Sequence, residues 1–392
     1  MLELTVLVLA AAISMFYRGL IAVIAPELST DLGLSESDLG TLASLFFIGF
    51  AAAQPPVGMA LDRLGPRLTI VLFMGAAVLG TGLFAAAPTP FAAYTGQALI
   101  GIGCAPIMTG AMVVVGRRFA PARFAFMVSV VLTLANLGDL ASTAPFAWLS
   151  EALGWRSALW TILGLTTLSA ILCLLFLGRD RQAEGTHPES LTELSLGMVR
   201  VIGIRGLWPI LPLVLTGYGV MMTLRGLWAG PYLAETFSLD PAARGTVLLA
   251  MSIAMTAGMF IYGAIDRALG KRKGLVGGGT ALVGLACLGL ALFPTHSLAL
   301  AAILLTAVGL FGYTYAVMMA HCRAFIPVQA MGRGIAFLTL VGFFGVGLLQ
   351  WATGLIMETT GSYPLLFGAL ALTLAAAVLA YAFSREGPEP RS

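Results

Sequence analysis

The sequence predicts an all-α polytopic membrane protein: twelve transmembrane helices arranged as two pseudo-symmetric six-helix bundles. Three observations predict it. The composition is too apolar for a chain surrounded by water, twelve apolar segments reach membrane-spanning length, and one half of the chain repeats the other.

Of the 392 residues 59% are hydrophobic and only 10% charged, and the mean hydropathy is +0.96. A soluble domain carries about 25% charged residues, so this chain lacks the polar surface to face water all round. The net charge of +3 is too small to imply a nucleic acid partner. Cys104, Cys173, Cys287 and Cys322 are far apart, with no CxxC or Cys/His cluster, so neither a disulfide framework nor a metal site is indicated. They read as small apolar packing residues. No cofactor is expected. The first apolar run follows Glu3 rather than a basic stretch and reads as a membrane helix, not a cleaved leader.

A membrane helix needs about 20 mostly apolar residues. Segments of that kind run Leu4–Ile24, Leu39–Leu61, Leu68–Ala87, Phe91–Val115, Phe124–Leu149 and Trp155–Leu177. Six more run Leu207–Ala229, Ala243–Ile265, Leu275–Phe293, Leu298–Met318, Gly334–Met357 and Pro364–Phe383. Backbone polar groups in lipid must be satisfied within the segment, which makes these helices. Placing both termini in the cytoplasm puts nearly all loop arginines and lysines inside and leaves Arg156 and Arg244 outside, as the positive-inside rule requires. The expected location is a bacterial inner membrane, with the lipid bilayer as solvent and the chain as a monomer.

The polar stretch Gly178–Arg205 separates six segments from six, and gives expected domains 1–177 and 207–392 joined by a cytoplasmic linker 178–206. A short surface helix is expected near Ser190–Val199. The halves repeat locally. Ser35-Glu36-Ser37-Asp38, a capping box, matches Asp240-Pro241-Ala242-Ala243, and Arg18-Gly19-Leu20 matches Arg225-Gly226-Leu227 with a two-residue slip. Pro26 matches Pro231. Two copies of a six-helix unit are a common transporter plan, with the substrate between them near midplane.

Two inner loops carry a shared motif. After the second segment stands GMALDRLGPR, with Gly58, Asp62, Arg63, Gly65 and Arg67. After the eighth stands GAIDRALGKR, with Gly263, Asp266, Arg267 and Gly270. These resemble the G-x-x-x-D-R-x-G-R-R loop of the major facilitator superfamily, once per half. Pro66 departs from it at one basic position, and the second copy is one residue shorter. The resemblance implies the twelve-helix fold of that family and a gating role for these residues. In that role Asp62 meets the N-terminus of a helix in the other half, where a carboxylate is favoured. Gly58 and Gly65 would permit close packing and a tight turn.

Ionisable groups within the spans mark functional cavities by default. Arg18, Asp139 and Arg225 lie about 6, 4 and 10 Å outward of their helix centres by the helical rise. Gln97 and Gln350 share their level. The resemblance places all five on helices that line or flank a central cavity. Guanidinium forks match carboxylates, so Arg18 and Arg225 are the expected binders of an anionic small-molecule substrate. Tyr17, Tyr218, Trp228, Gln97 and Gln350 would complete the site. The alternatives are that Arg225 snorkels to the outer interface and that Arg18 forms a static pair with Asp139. Asp139, helped by Asn136 one turn away, is the expected proton-coupling carboxylate, since burial and a nearby arginine shift a carboxyl in opposite directions.

The expected function is therefore secondary transport of a small anion, coupled to protons or sodium, as a symporter. No nucleotide-binding loop and no catalytic dyad appears in the spans, which argues against a pump or an enzyme. The alternatives are an efflux antiporter for amphipathic compounds and a non-transporting sensor on the same scaffold.

Overall fold

A computed structural model describes residues 2–178, 201–327 and 331–386. The surface helix expected near Ser190–Val199, and most of the linker, lie outside the described residues. The described residues are helical, and nine helical runs, with the bent pair at the start as a tenth, are long and apolar enough to cross a membrane.

Helix α1 runs Leu2–Tyr17 and, after a 46° bend, Leu20–Leu32. The next helical run, Glu36–Ala85, is 50 residues long and is interrupted at Gly65 (φ 75°, ψ 168°), which makes it two spans, α2 (36–64) and α3 (66–85). Helices α4 (Pro90–Arg118), α5 (Pro121–Ala141, then Ala144–Leu153) and α6 (Trp155–Phe176) complete the first six. Helix α7 runs Leu211–Thr223, a π-turn Leu224–Trp228, and Ala229–Phe237. It is followed by α8 (Pro241–Leu269), α9 (Arg272–Leu292) and α10 (Leu298–Gly312, then Tyr315–Arg323). Helices α11 (Met331–Thr360) and α12 (Tyr363–Ala382) are the last among the described residues.

The starts follow the sequence. Ser35 and Asp38 form the reciprocal capping box at α2, and the Asp240 side chain accepts the Ala243 N–H at α8. Gly65 must be glycine because its φ is positive, and Gly270 (φ 63°) closes α8 in the same left-handed region.

Four spans expected to be continuous are broken, in α1, α5, α7 and α10. Each break has a local cause. In α5, Pro145 has no N–H for the Ala141 carbonyl, and Ser142 and Thr143 turn their hydroxyls back onto the Asp139 and Leu140 carbonyls. In α7, Pro231 withdraws the bond to Leu227, and the Ala229 N–H reaches back five residues to Leu224. In α1 the last turn before Gly19 tightens, with the Arg18 and Gly19 N–H groups on Met15 and Phe16. In α10, the Phe311 carbonyl beside the break accepts from the Tyr262 hydroxyl.

The core divides unevenly. Toward the end where α1 begins and α12 finishes there are two separate clusters. One is Val6, Leu7, Ile70, Met74, Ile107, Val131 and Leu177, all from α1–α6 and the residue after it. The other includes Val214, Tyr262, Val276, Val317, Leu338 and Tyr381 from α7–α12. Toward the opposite end one cluster spans both sets, joining Leu20, Ile24, Leu42 and Phe146 with Leu227, Tyr232, Met251 and Val346. Glycines set this seam. A Cβ on Gly40 would stand 2.7 Å from the Gly354 Cα, on Gly230 1.6 Å from the Ala22 carbonyl oxygen, and on Gly245 2.6 Å from the Ala147 Cβ. Glu27 and Arg244 form an ion pair across the same seam. The two sets of helices are thus joined at one end and have separate cores at the other.

Candidate functional site

The floor of the joined region is built on the two Arg-Gly steps that the repeat relates. Both lie where their helix is broken, Arg18-Gly19 at the bend of α1 and Arg225-Gly226 in the π-turn of α7. A π-turn or a break re-aims a side chain that a regular helix would hold elsewhere.

Arg225 does not snorkel; it is 1% exposed. Its guanidinium crosses to the first half and lies over Gly19, where any Cβ would come 1.4 Å from Nη1. There Nη2 meets the Asp139 carboxylate Oδ1 at 2.9 Å and donates to the Asp139 carbonyl (2.9 Å) and the Ser142 hydroxyl (3.0 Å). Nε donates to the Ser252 hydroxyl at 3.0 Å. An arginine this deep is tolerated only when paired and hydrogen-bonded, and here a carboxylate faces Nη2 and both Nε and Nη2 donate, while Nη1 packs against Gly19. The alternative pairing of Asp139 with Arg18 is not what the fold makes: the partner of Asp139 is Arg225, from the other half.

Arg18 differs. Its Nη1 makes one long bond, 3.4 Å, to the Tyr218 hydroxyl, and its Nε is buried with no hydrogen-bond partner. Its guanidinium stands over the rings of Phe50 (5.3 Å) and Phe343 (5.0 Å). Tyr218 packs edge-on against Phe343 at 5.9 Å and against Tyr315 at 5.2 Å. Tyr313, at the α10 break, lies within electrostatic reach of Arg18, Asp139 and Tyr218. Arg18 is therefore a partly satisfied cation held in an aromatic frame, beside one that is paired with a carboxylate.

Of the remaining expected site residues, only some come together here. Tyr17 turns into its own bundle, its hydroxyl between Thr81 of α3 and Thr166 of α6, each at 2.7 Å. Trp228 points back within the second half and donates to the Thr353 hydroxyl at 2.8 Å. Neither can touch a ligand between the halves in this state. Gln97 and Gln350 are both buried, and Gln350 lies against Gly226 with neither amide atom hydrogen-bonded. Asn136 does not bond the Asp139 carboxyl; its amide faces the Met259 sulfur at 3.9 Å. Ser142, Ser252, Phe50 and Phe343 were not singled out from the sequence. The serines carry one signal, small hydroxyls in apolar spans; the phenylalanines carry none.

At the loop motifs, Asp62 and Arg63 are exposed, and Arg67 donates to the Leu174 carbonyl of α6. Asp266 pairs with Arg272 at 3.1 Å, and Arg267 donates to the Gly263 carbonyl at 3.3 Å. Gly58 and Gly263 have open space where a Cβ would stand, so in this state neither is needed for close packing. Gly65 and Gly270 are needed for their turns.

Comparison with known proteins places this architecture. A family model described as Major Facilitator Superfamily matches residues 7–229 and 206–392. The chain is 26% identical over 416 residues to the "Probable L-galactonate transporter" of Escherichia coli (strain K12), covering 97% of this chain and 89% of that one. It is 25% identical over 367 residues to the "Gentisate transporter" of Corynebacterium glutamicum, covering 90% and 80%. Among solved structures, a D-xylose-proton symporter superposes with a TM-score of 0.78 at 14% identity over 98% of both chains, a likeness of fold. With the family model matching the chain almost from end to end over these twelve helices, the chain belongs to the Major Facilitator Superfamily.

Proposed function

We propose that this chain is a secondary active transporter that carries a small organic anion together with protons, by alternating access between its six-helix halves, 1–177 and 207–392. The observation that carries the reading is the unequal state of the two repeat-related arginines. Arg225 is locked to Asp139 across the halves, while Arg18 beside it keeps donor capacity. The pair Arg225–Asp139 is neutral, so Arg18 leaves one net positive charge at the junction. An anion that neutralises it removes the cost of holding that charge away from water. The relatives named as galactonate and gentisate transporters support an anionic cargo.

Asp139 supplies the coupling. As a carboxylate it holds Arg225 and, through it, the closed seam; protonated, it loses most of that attraction and Arg225 is released. The basic-residue bias of the loops supports both termini in the cytoplasm of a bacterial inner membrane. In that orientation the joined core lies at the outer end and the separated cores at the cytoplasmic end, as in a state open inward.

The test is uptake of labelled organic anions into proteoliposomes with and without an inward proton gradient. Accumulation that follows the gradient and is lost in Arg18→Gln supports the reading. Accumulation that ignores the gradient, or survives Arg18→Gln unchanged, removes it.

A further inference from the structure

The anion reading leaves open what the carboxylate is attached to, and the surroundings of Arg18 bear on that directly. The number of free cations comes first. Arg225 spends Nε and Nη2 on Ser252, Asp139 and Ser142, and packs Nη1 against Gly19. At 1% exposure it offers no edge to a ligand. Of the two repeat-related guanidiniums, Arg18 is the one with a buried donor left without a partner, which suits a single carboxylate.

The walls come second. The nearest groups recorded around Arg18 are rings: Phe50 and Phe343, 4.5 Å apart, on one side of it and Tyr218 at its edge, with Phe343 also within 6.2 Å of Phe47 and Tyr315 next to Tyr218. Of the carboxamides that could read the hydroxyls of a sugar acid, Gln350 lies beside the Arg18 backbone, against Gly226, and is fully buried. Gln97 and Gln350 are enclosed, Asn136 faces Met259, and Gln54 turns back to the Phe50 carbonyl. A polyhydroxy chain placed among these rings would give up hydrogen bonds to water with little in return. A flat ring would pack edge-on or offset against the same faces, as the side chains there already pack against one another.

Resting on the anion reading, we propose that the cargo is an aromatic monocarboxylate of the benzoate class. Its carboxylate is taken by Arg18, and its ring lies among Phe50, Phe343 and Tyr218. Tyr218, whose hydroxyl now holds Arg18 at 3.4 Å, yields that donor edge to the carboxylate and is left to bond a ring hydroxyl.

The experiment is calorimetric binding of three probes to the purified full chain: benzoate, gluconate and succinate. Benzoate is expected to bind about tenfold or more tighter than gluconate, the order of two ring contacts, and also tighter than succinate. Arg18→Gln should abolish benzoate binding, and Phe343→Leu, which keeps the apolar bulk, should narrow the benzoate–gluconate ratio. The unliganded melting temperature of each variant checks that it is folded, and the wild-type ranking stands without any variant. Gluconate or succinate binding tighter than benzoate, with dependence on Arg18, overturns the aromatic class and leaves the anion reading intact. Binding of none of the three, or binding indifferent to Arg18→Gln in folded protein, overturns the anion reading itself.

Discussion

Arg225 of one half rests on Gly19 of the other so closely that no side chain fits between them: a Cβ on Gly19 would lie 1.4 Å from Nη1. The glycine of one Arg-Gly step is thereby the seat for the arginine of its repeat. The reverse contact is looser, with the Gly226 Cβ position 3.0 Å from the Arg18 carbonyl oxygen. The repeat is symmetric in sequence and asymmetric in structure, because only one of the two arginines crosses to a carboxylate.

Gly19→Ala should therefore behave as a lesion of Arg225. The guanidinium is held by four contacts and cannot swing aside without losing Asp139. Transport is expected to fall at least tenfold at normal expression, and Gly226→Ala should cost less. Proteoliposome uptake compares them; equal activity of Gly19→Ala and wild type would show that Arg225 has another place to go.

The Arg225–Asp139 pair should dominate a double-mutant cycle. Removing one partner of a buried pair leaves an uncompensated polar or charged group and destabilises by about 3–5 kcal/mol, while removing both costs less. Thermal unfolding in detergent of Asp139→Asn, Arg225→Gln and the double variant checks this. Additive losses would mean that the two side chains do not depend on each other.

Much of this arrangement was legible in the sequence, and the parts that were not have a common cause. The spans, the helix caps at Ser35 and Asp240 and the paired Arg-Gly steps follow from periodicity, hydropathy and local repetition. The breaks in α5 and α7 are set by Pro145 and Pro231, visible as prolines but placed within runs apolar enough to read as continuous. The partner of Asp139 was not legible, because helix depth alone sets Arg18 about 2 Å and Arg225 about 6 Å from its level, and the observed pairing with Arg225 depends on how the halves cross. Tyr17 was drawn into the site by its neighbour Arg18. Successive residues on a helix point about 100° apart, and that turn carries its hydroxyl to Thr81 and Thr166 instead. Phe50 and Phe343 belong to one aromatic frame only after α2 and α11 have packed, and nothing in either segment alone distinguishes them from core residues.

The most direct test separates exchange from accumulation in proteoliposomes carrying Asp139→Asn. Asparagine mimics the protonated carboxyl, so the variant should still exchange labelled organic anion across the membrane through Arg18. It should fail to concentrate the anion when an inward proton gradient is applied. Gradient-driven accumulation in Asp139→Asn with the pH profile of the wild type would contradict the account, since the proton would then be carried by some other group.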